Sequence, residues 1–411
     1  MNILVISQYY YPENFRINDI CEELVKRGNK VTVVTGLPNY PEGIIYQGYE
    51  DSYREKSVHN GVEIIRCKNR PRKNGTLNLL FNYISFECKA SKLVKQINEK
   101  FDLVYIYQLS PVMQIIPGNI YKKKQNVPMF VYVCDIWPES IRDLGTKQMS
   151  VTNPIYLYFL KKSRNLYHMA DAIGTKCEEF IEYLNKTCLV PLEKCSVNYE
   201  HAESNYLLVN SQPIDNGIID FMFLGNMGHA SNCDLIVKAA SQLTGNDFKI
   251  HFVGEGSELK NLKNLVYKLG LDGVVVFHGK KTQKEVIEYY NFADVCILTL
   301  SNRSLTGLTP PAKLAGYMAA SRPIITSAAG ASRRIVEEAA CGIVCDPDSV
   351  DSLKNAMQSI LDNPHLIDNM GNRGRIYFKK HFTIEKHVDS LLNSFQNLLL
   401  KNKSKKLYES E

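Results

Sequence analysis

The chain has 411 residues, 45% hydrophobic and 22% charged, with a formal net charge of +6. That length exceeds what one core organises and predicts two domains, while so mild a charge suits anionic substrates or membrane headgroups, or solubility alone, and gives no reason to expect nucleic acid. No apolar run approaches the roughly 18 residues of a membrane span, no basic region precedes ILVIS, so no signal peptide is expected, and the 11 cysteines show no CxxC or zinc-like spacing, which predicts buried thiols in a reducing cytoplasm.

Strand and helix patterns alternate almost throughout, the signature of a doubly wound α/β architecture. ILVIS is a first buried strand, followed by the loop QYYYPEN and a helix carrying Ile17, Ile20, Cys21, Leu24 and Val25 at helical spacing, with Gly28 closing it. KVTVVTG is the next strand and opens into LPNYPEGIIYQGYEDSYREK, a loop long enough to predict a functional or mobile segment. VEIIRC, LVYIYQ, MFVYVCDIWP and ADAIGT follow as strands. Residues 198–220 are polar and turn-rich and read as a linker. A second series then begins: FMFLGN, FKIHFVG, VVVFHG, VCILTL, PIIT and GIVC. In two such halves, ligands are expected at the carboxyl ends of the strands, in a cleft between the domains.

The segment 302–326 concentrates the chemistry. The strand VCILTL runs into a loop holding Gly307, Thr309, Pro310 and Pro311, and a helix starts near Pro311 and is broken by Ser321-Arg322-Pro323. Proline suits a first helical turn because its missing N–H has no partner there. The free amides and dipole of a helix start attract an anion, and Lys313 adds a full charge. Lys313 therefore reads as a diphosphate ligand or as a solvated helix-start residue. Arg16 is a second candidate cation, or a partner for Glu13 or Asp19. Asp135 is an N-cap, or a group facing an acceptor hydroxyl or donor sugar. Asn226 and Gly228 mark either a tight turn or a ligand-binding loop. No G-x-G-x-x-G follows the first strand and no P-loop occurs, which sets aside hydride transfer and ATP hydrolysis.

Several stretches together resemble a known family. FMFLGNMGHASNCDLIVKAA, GEGSELKNL, VVVFHGKKTQKEVIEYYNFADV and PPAKLAGYMAASRPII are similar to the nucleotide-sugar half of GT-B glycosyltransferases of group 1, also called family 4. YYYPENFRIND, ELVKRGNKVTVVTG, LPNYPEG and DIWPES are similar to the other half, and the wording is nearest to bacterial O-antigen and capsule transferases of the N-acetyl-L-fucosaminyltransferase kind. The resemblance implies two Rossmann-like domains: 1–205 for the acceptor, 206–382 for the nucleotide sugar, and 383–411 as a helix returning to the first domain plus a basic tail. It implies a retaining, metal-independent transfer from a UDP-sugar to an undecaprenyl-diphosphate-linked saccharide, with no cofactor beyond the co-substrate, at the inner face of the cytoplasmic membrane.

Residue by residue, the carry-over makes Asp135 and Lys313 catalytic. It assigns the donor to Arg16, Cys134, Gly225, Asn226, Gly228, Gly307, Leu308, Thr309, Pro310 and Gly316. The family's paired glutamates fall on Leu308 and Gly316, its histidine before the D-x-W-P-like turn is Cys134, and the usual Arg and Lys are missing from GNMGHASN. Carboxylate contacts to the sugar and ribose are therefore not expected. The missing hydroxyl ligands point to a 6-deoxy donor such as an N-acetylated fucosamine. The helix LNLLFNYISFECKASKLVK, with Lys89, Lys92 and Lys95 following an apolar stripe, and IYLYFLKKSRNLY suit an anionic bilayer or core packing. A GT-B sugar-nucleotide epimerase and a non-catalytic binding protein on the same scaffold are the rival readings.

Overall fold

A computed structural model describes every residue except 74, 143–148, 246, 303–308, 368 and 409–411. The chain forms two compact units, one of Met1–Tyr199 with Ile384–Glu411 and one of Glu200–Thr383. From Glu200 on, the turn-rich stretch belongs to the second unit for a local reason. Ala202 N donates to Phe382 O, and the Arg322 guanidinium grips the carbonyls of Asn210 and Ser211.

The first unit holds β1 (Asn2–Ile6), β2 (Lys30–Thr35), β3 (Ser57–His59), β4 (Val62–Arg66), β5 (Leu103–Gln108), β6 (Met129–Val133), β7 (Ala172–Thr175) and β8 (Cys195–Val197). They form one sheet in the order β3-β4-β2-β1-β5-β6-β7-β8. Neighbours run parallel except β3 and β4, which pair antiparallel with Val58 opposite Glu63. The central strands are apolar on both faces because helices cover both. β1, β2, β5 and β6 are buried almost throughout.

The Arg16–Lys26 helix buries Ile17, Ile20, Cys21 and Leu24 against this sheet. It ends where Gly28, at φ +78°, returns its N–H to Val25 O. The Ile384–Tyr408 helix closes the same face with Val388, Leu391, Phe395 and Leu398. Phe395 packs 5.4 Å from Tyr105 and 5.2 Å from Phe130, ring centre to ring centre. A buried leucine or phenylalanine of this kind contributes about 1.5–3 kcal/mol.

The second unit holds β9 (Ile219–Leu224), β10 (Phe248–Val253), β11 (Val275–Gly279), β12 (Val295–Thr299), β13 (Ile324–Ser327) and β14 (Gly342–Val344). Their order is β11-β10-β9-β12-β13-β14, all parallel. Chain direction across the sheet reverses between β9 and β12, and in the first unit between β1 and β5. Ligands of open parallel sheets sit beyond the carboxyl ends of the strands at such a reversal.

Two short strands lie outside the sequence expectation. β3 and β8 are edge strands whose residues are exposed or half-buried, so they lack the apolar run that betrays the others. The long loop after β2 is also better organised than its composition predicts. Three of its four tyrosines are held by cations, Arg66 over Tyr49 at 5.2 Å, Lys68 over Tyr53 at 4.9 Å and Arg72 over Tyr40 at 5.3 Å, and Tyr46 Oη donates to Tyr40 O.

Candidate functional site

In the second unit, the loops after β9 and β12 flank the reversal. The helix Ala312–Ala319 follows β12, with Pro311 at its N-cap. It ends because Ser321 takes a left-handed conformation at φ +57° and Pro323 cannot extend it. Buried Tyr317, one turn on from Lys313, accepts from Leu224 N through its hydroxyl at 3.0 Å and so clamps the end of β9 to this helix.

Lys313 lies over the Phe223 ring, its ammonium 3.8 Å from the ring centre. It also touches Gly225, where a Cβ would come 3.1 Å from Lys313 Cε and Nζ. Gly225 stands at φ +132°, so the loop needs glycine for its conformation as well as for this close approach. No carboxylate comes within ion-pair distance of Lys313 among the described residues. Burial pushes its ammonium down to about 8, partly countered by the Cys233 thiol.

The surrounding loop is pinned by hydrogen bonds. Gly225 N donates to Val253 O, Met227 N to Glu255 O and Glu258 N to Met227 O, which interlocks the loops after β9 and β10. Ser231 Oγ donates to Asn226 O at 2.5 Å, and Thr299 Oγ1 to Ser231 O at 2.6 Å. Asn226 is exposed and Gly228 half-buried at the mouth of this loop. Thr309 and Pro310 are half-buried and lead into the Lys313 helix. Gly307 and Leu308 lie outside the described residues. Gly316 faces inward: a Cβ there would meet Tyr290 Oη at 3.1 Å and the Tyr206 ring at 3.5 Å.

In the first unit, Asp135 follows β6. One carboxylate oxygen accepts from Ser110 N at 3.0 Å and Ser110 Oγ at 2.9 Å, and Trp137 Nε1 donates to the same Ser110 Oγ. Its carboxylate thus ties the loops after β5 and β6 together. Cys134 is buried in the core cluster with Tyr107 and Tyr132. Arg16 is the first residue of its helix, next to Phe15 at the N-cap, and half-buried.

Sequence reasoning missed a network of amides that fixes the loops at this end of the first sheet. Gln114 Oε1 accepts from Gln8 N, and Gln8 Nε2 donates to Asn82 Oδ1 at 2.6 Å. Asn82 Nδ2 donates to Arg70 O, and Asn39 Oδ1 accepts from Arg72 N at 2.6 Å. Buried Glu13 accepts from the amides of Asn39 and Tyr40, both at 2.7 Å, and desolvation pushes its carboxyl up to about 7. The partners are far apart in sequence, so only the preference of isolated polar residues for buried partners could have signalled them.

The Thr76–Gln96 helix exposes Leu77, Phe81 and Ile84 on one stripe, at 72%, 50% and 43%. The stripe continues through exposed Cys88, Lys92 and Lys95, with exposed Lys89 beside it. On the Pro154–His168 helix, Ile155, Leu157 and Tyr158 are also exposed. Trp137 joins the two helices, its ring 6.2 Å from Tyr83 and 5.7 Å from Phe159. Among the described residues no helix is long and apolar enough to cross a membrane.

Residues 208–377 match the family described as Glycosyl transferases group 1. The chain is 22% identical to an uncharacterized glycosyltransferase of Methanocaldococcus jannaschii, over 97% of this chain and 99% of that one. It is 20% identical to the O-antigen chain mannosyltransferase C of Escherichia coli, again over 97% and 99%. Among solved structures, Anabaena HepE in complex with UDP superposes with a TM-score of 0.70 at 15% identity, covering 97% of this chain and 100% of that one. At that identity the likeness is one of fold.

Proposed function

From a chain that carries a group 1 glycosyltransferase domain at residues 208–377, in a two-domain α/β fold of the GT-B type, we propose a retaining, metal-independent transfer of sugar from UDP to a lipid-diphosphate-linked saccharide of a surface polysaccharide. The observation that carries this reading is Lys313, a half-buried ammonium with no counter-ion among the described residues, beside a glycine loop at the sheet's reversal point. A departing nucleoside diphosphate supplies the charge that it lacks. Fixed amides and a cation aimed at developing charge need little reorganisation during reaction.

In the proposed step the acceptor hydroxyl attacks the anomeric carbon from the face the diphosphate leaves. The new bond joins acceptor oxygen to that carbon, the carbon–phosphate oxygen bond breaks, and the departing phosphate oxygen takes the acceptor proton. Lys313, the first-turn amides of its helix and the 225–228 loop hold the released UDP. Asp135 orders the loops after β5 and β6 in the first unit, where the acceptor is expected. The polysaccharide setting is supported by the similarity to the O-antigen mannosyltransferase, and UDP by the HepE complex.

The donor is proposed to be a 6-deoxy N-acetylamino sugar. A thiol at Cys134 bonds weakly and Leu308 and Gly316 offer no side-chain acceptor, so no polar group at these positions demands a sugar hydroxyl. Competing UDP-N-acetylfucosamine against UDP-N-acetylglucosamine with one lipid-linked acceptor tests this. A tenfold or greater preference for the deoxy donor is expected, and preference for the hydroxylated donor contradicts it.

Attachment to an anionic bilayer is proposed through the exposed stripe of the Thr76–Gln96 helix. Each cation near such a surface contributes about 1 kcal/mol. The triple change Lys89→Glu, Lys92→Glu and Lys95→Glu should therefore release the protein from phosphatidylglycerol vesicles, as should high salt on the wild type. Binding indifferent to both would refute the attachment.

A further inference from the structure

The first unit carries a strip whose chemistry changes in one direction. At one end Tyr9, Phe15 and Tyr40 form an aromatic cluster at the carboxyl ends of β1 and β2, with ring centres 5.0, 5.5 and 5.2 Å apart. Phe15 is half-buried and Tyr40 exposed, so ring surface remains open to a ligand. In the middle stand the cations of segment 68–73. The Arg72 guanidinium lies over Tyr40 at 5.3 Å and is near enough to the Tyr9 hydroxyl for its charge to oppose the upward push of burial there. The Arg70 guanidinium lies over Phe81 at 5.2 Å. Phe81 then opens the other end, the exposed apolar stripe it shares with Leu77 and Ile84.

The cationic middle is built rather than draped. Arg70 N donates to Ser85 Oγ at 2.8 Å, Arg70 O accepts from Asn82, and Arg72 N donates to Asn39 Oδ1. Gly43 packs so close to the Arg72 carbonyl that a Cβ would stand 1.6 Å from it. Among the described residues no carboxylate comes within ion-pair distance of Lys68, Arg70, Arg72 or Lys73. The backbone is pinned while the charges remain uncompensated.

We propose that this strip is the acceptor subsite: the sugar stacks on Phe15 and Tyr40, the diphosphate bridges Arg72 and Arg70, and the polyisoprenoid chain follows Phe81, Leu77 and Ile84. The proposal rests on the lipid-linked acceptor inferred above and names the residues that read it. Aromatic rings offer flat apolar faces to a sugar's C–H groups, guanidinium forks match phosphate oxygens, and an exposed apolar stripe suits an isoprenoid. The order of the three along the strip is the order of the three in the molecule. Bulk anionic lipid would account for the cations but leaves the aromatic end unused.

The test measures binding to phosphatidylcholine vesicles doped with undecaprenyl diphosphate N-acetylglucosamine, with undecaprenol, or with phosphatidylglycerol. Wild type should prefer the diphosphate lipid to undecaprenol by about tenfold or more. Arg70→Gln with Arg72→Gln should abolish that preference and raise the KM for the lipid-linked acceptor about tenfold to a hundredfold. Arg70→Gln alone, at an exposed position, should give a smaller loss in the same direction and guards against misfolding. Undiminished preference in the double variant overturns the subsite, and so does wild-type binding that follows vesicle charge alone. If wild type still elongates the lipid-linked saccharide in those cases, the subsite falls and the reading of function stands. Transfer only to acceptors lacking the lipid diphosphate removes both.

Discussion

Lys313→Met should lower turnover about 10²- to 10³-fold, the usual cost of removing one preorganised charge-stabilising group, and should at the same time raise the melting temperature. The two effects share a cause. The ammonium is held against Phe223 and Gly225 with no counter-ion among the described residues, and burial depresses it from 10.5 to about 8. Because the folded value lies below the unfolded one, the fold bears the cost of the charged lysine fully below pH 8. That cost fades as pH rises from 8 through 10.5. A shift of this size corresponds to roughly 3 kcal/mol at neutral pH. Methionine keeps the aliphatic stem on Phe223 and drops the charge, so the stability gain should be largest below pH 8.

UDP affinity should report the same proton. In wild type it should be flat below pH 8 and fall towards tenfold per unit above it, as the free protein loses the cation that the diphosphate needs. In Lys313→Met that decline should vanish. Calorimetric titration of UDP across pH 6.5 to 9.5, with kcat measured alongside, checks both halves. Wild-type turnover in the variant would remove Lys313 from the site.

Arg322→Leu should destabilise the second unit by about 3 kcal/mol or more. The side chain is fully buried, donating to Tyr290 O at 2.7 Å, Ser211 O at 3.0 Å and Asn210 O at 2.8 Å. Leucine would leave three carbonyls without their donor and detach the start of the unit from the helix Gln283–Phe292. Lysine cannot replace the fork, since one ammonium does not span three acceptors placed around a plane. Urea unfolding should show a lower midpoint for both Arg322→Leu and Arg322→Lys. A midpoint unchanged in Arg322→Lys would mean the charge, rather than the fork, is what the fold uses.

The parallel framework was legible because fully buried strands write themselves as apolar runs. β1, β5 and β12 need no partner information to be seen. β3 and β8 were illegible for the converse reason: each is short, lies at a sheet edge and carries polar residues that any loop would accept. In the site, Pro311 and Lys313 could be read from the start of a helix, and Gly225 from the end of a strand. The amide network of Gln8, Asn39, Asn82 and Gln114 could not. Its bonds join residues that the sequence separates widely, and nothing local distinguishes these amides from surface ones. The same limit applies to Arg72, whose position over Tyr40 depends on two loops distant in sequence meeting.

The central claim is transfer from a nucleoside diphosphate sugar with the diphosphate leaving on the side that the acceptor attacks. Its most direct test is one reaction, run with α-linked UDP-sugars and a lipid-diphosphate-linked N-acetylhexosamine in the presence of EDTA, with the product analysed by mass spectrometry and proton NMR. The account predicts a lipid product heavier by one sugar, UDP released in equal amount, and an α anomeric proton at the new linkage. A β linkage, or a UDP-sugar altered without any acceptor present, would contradict it.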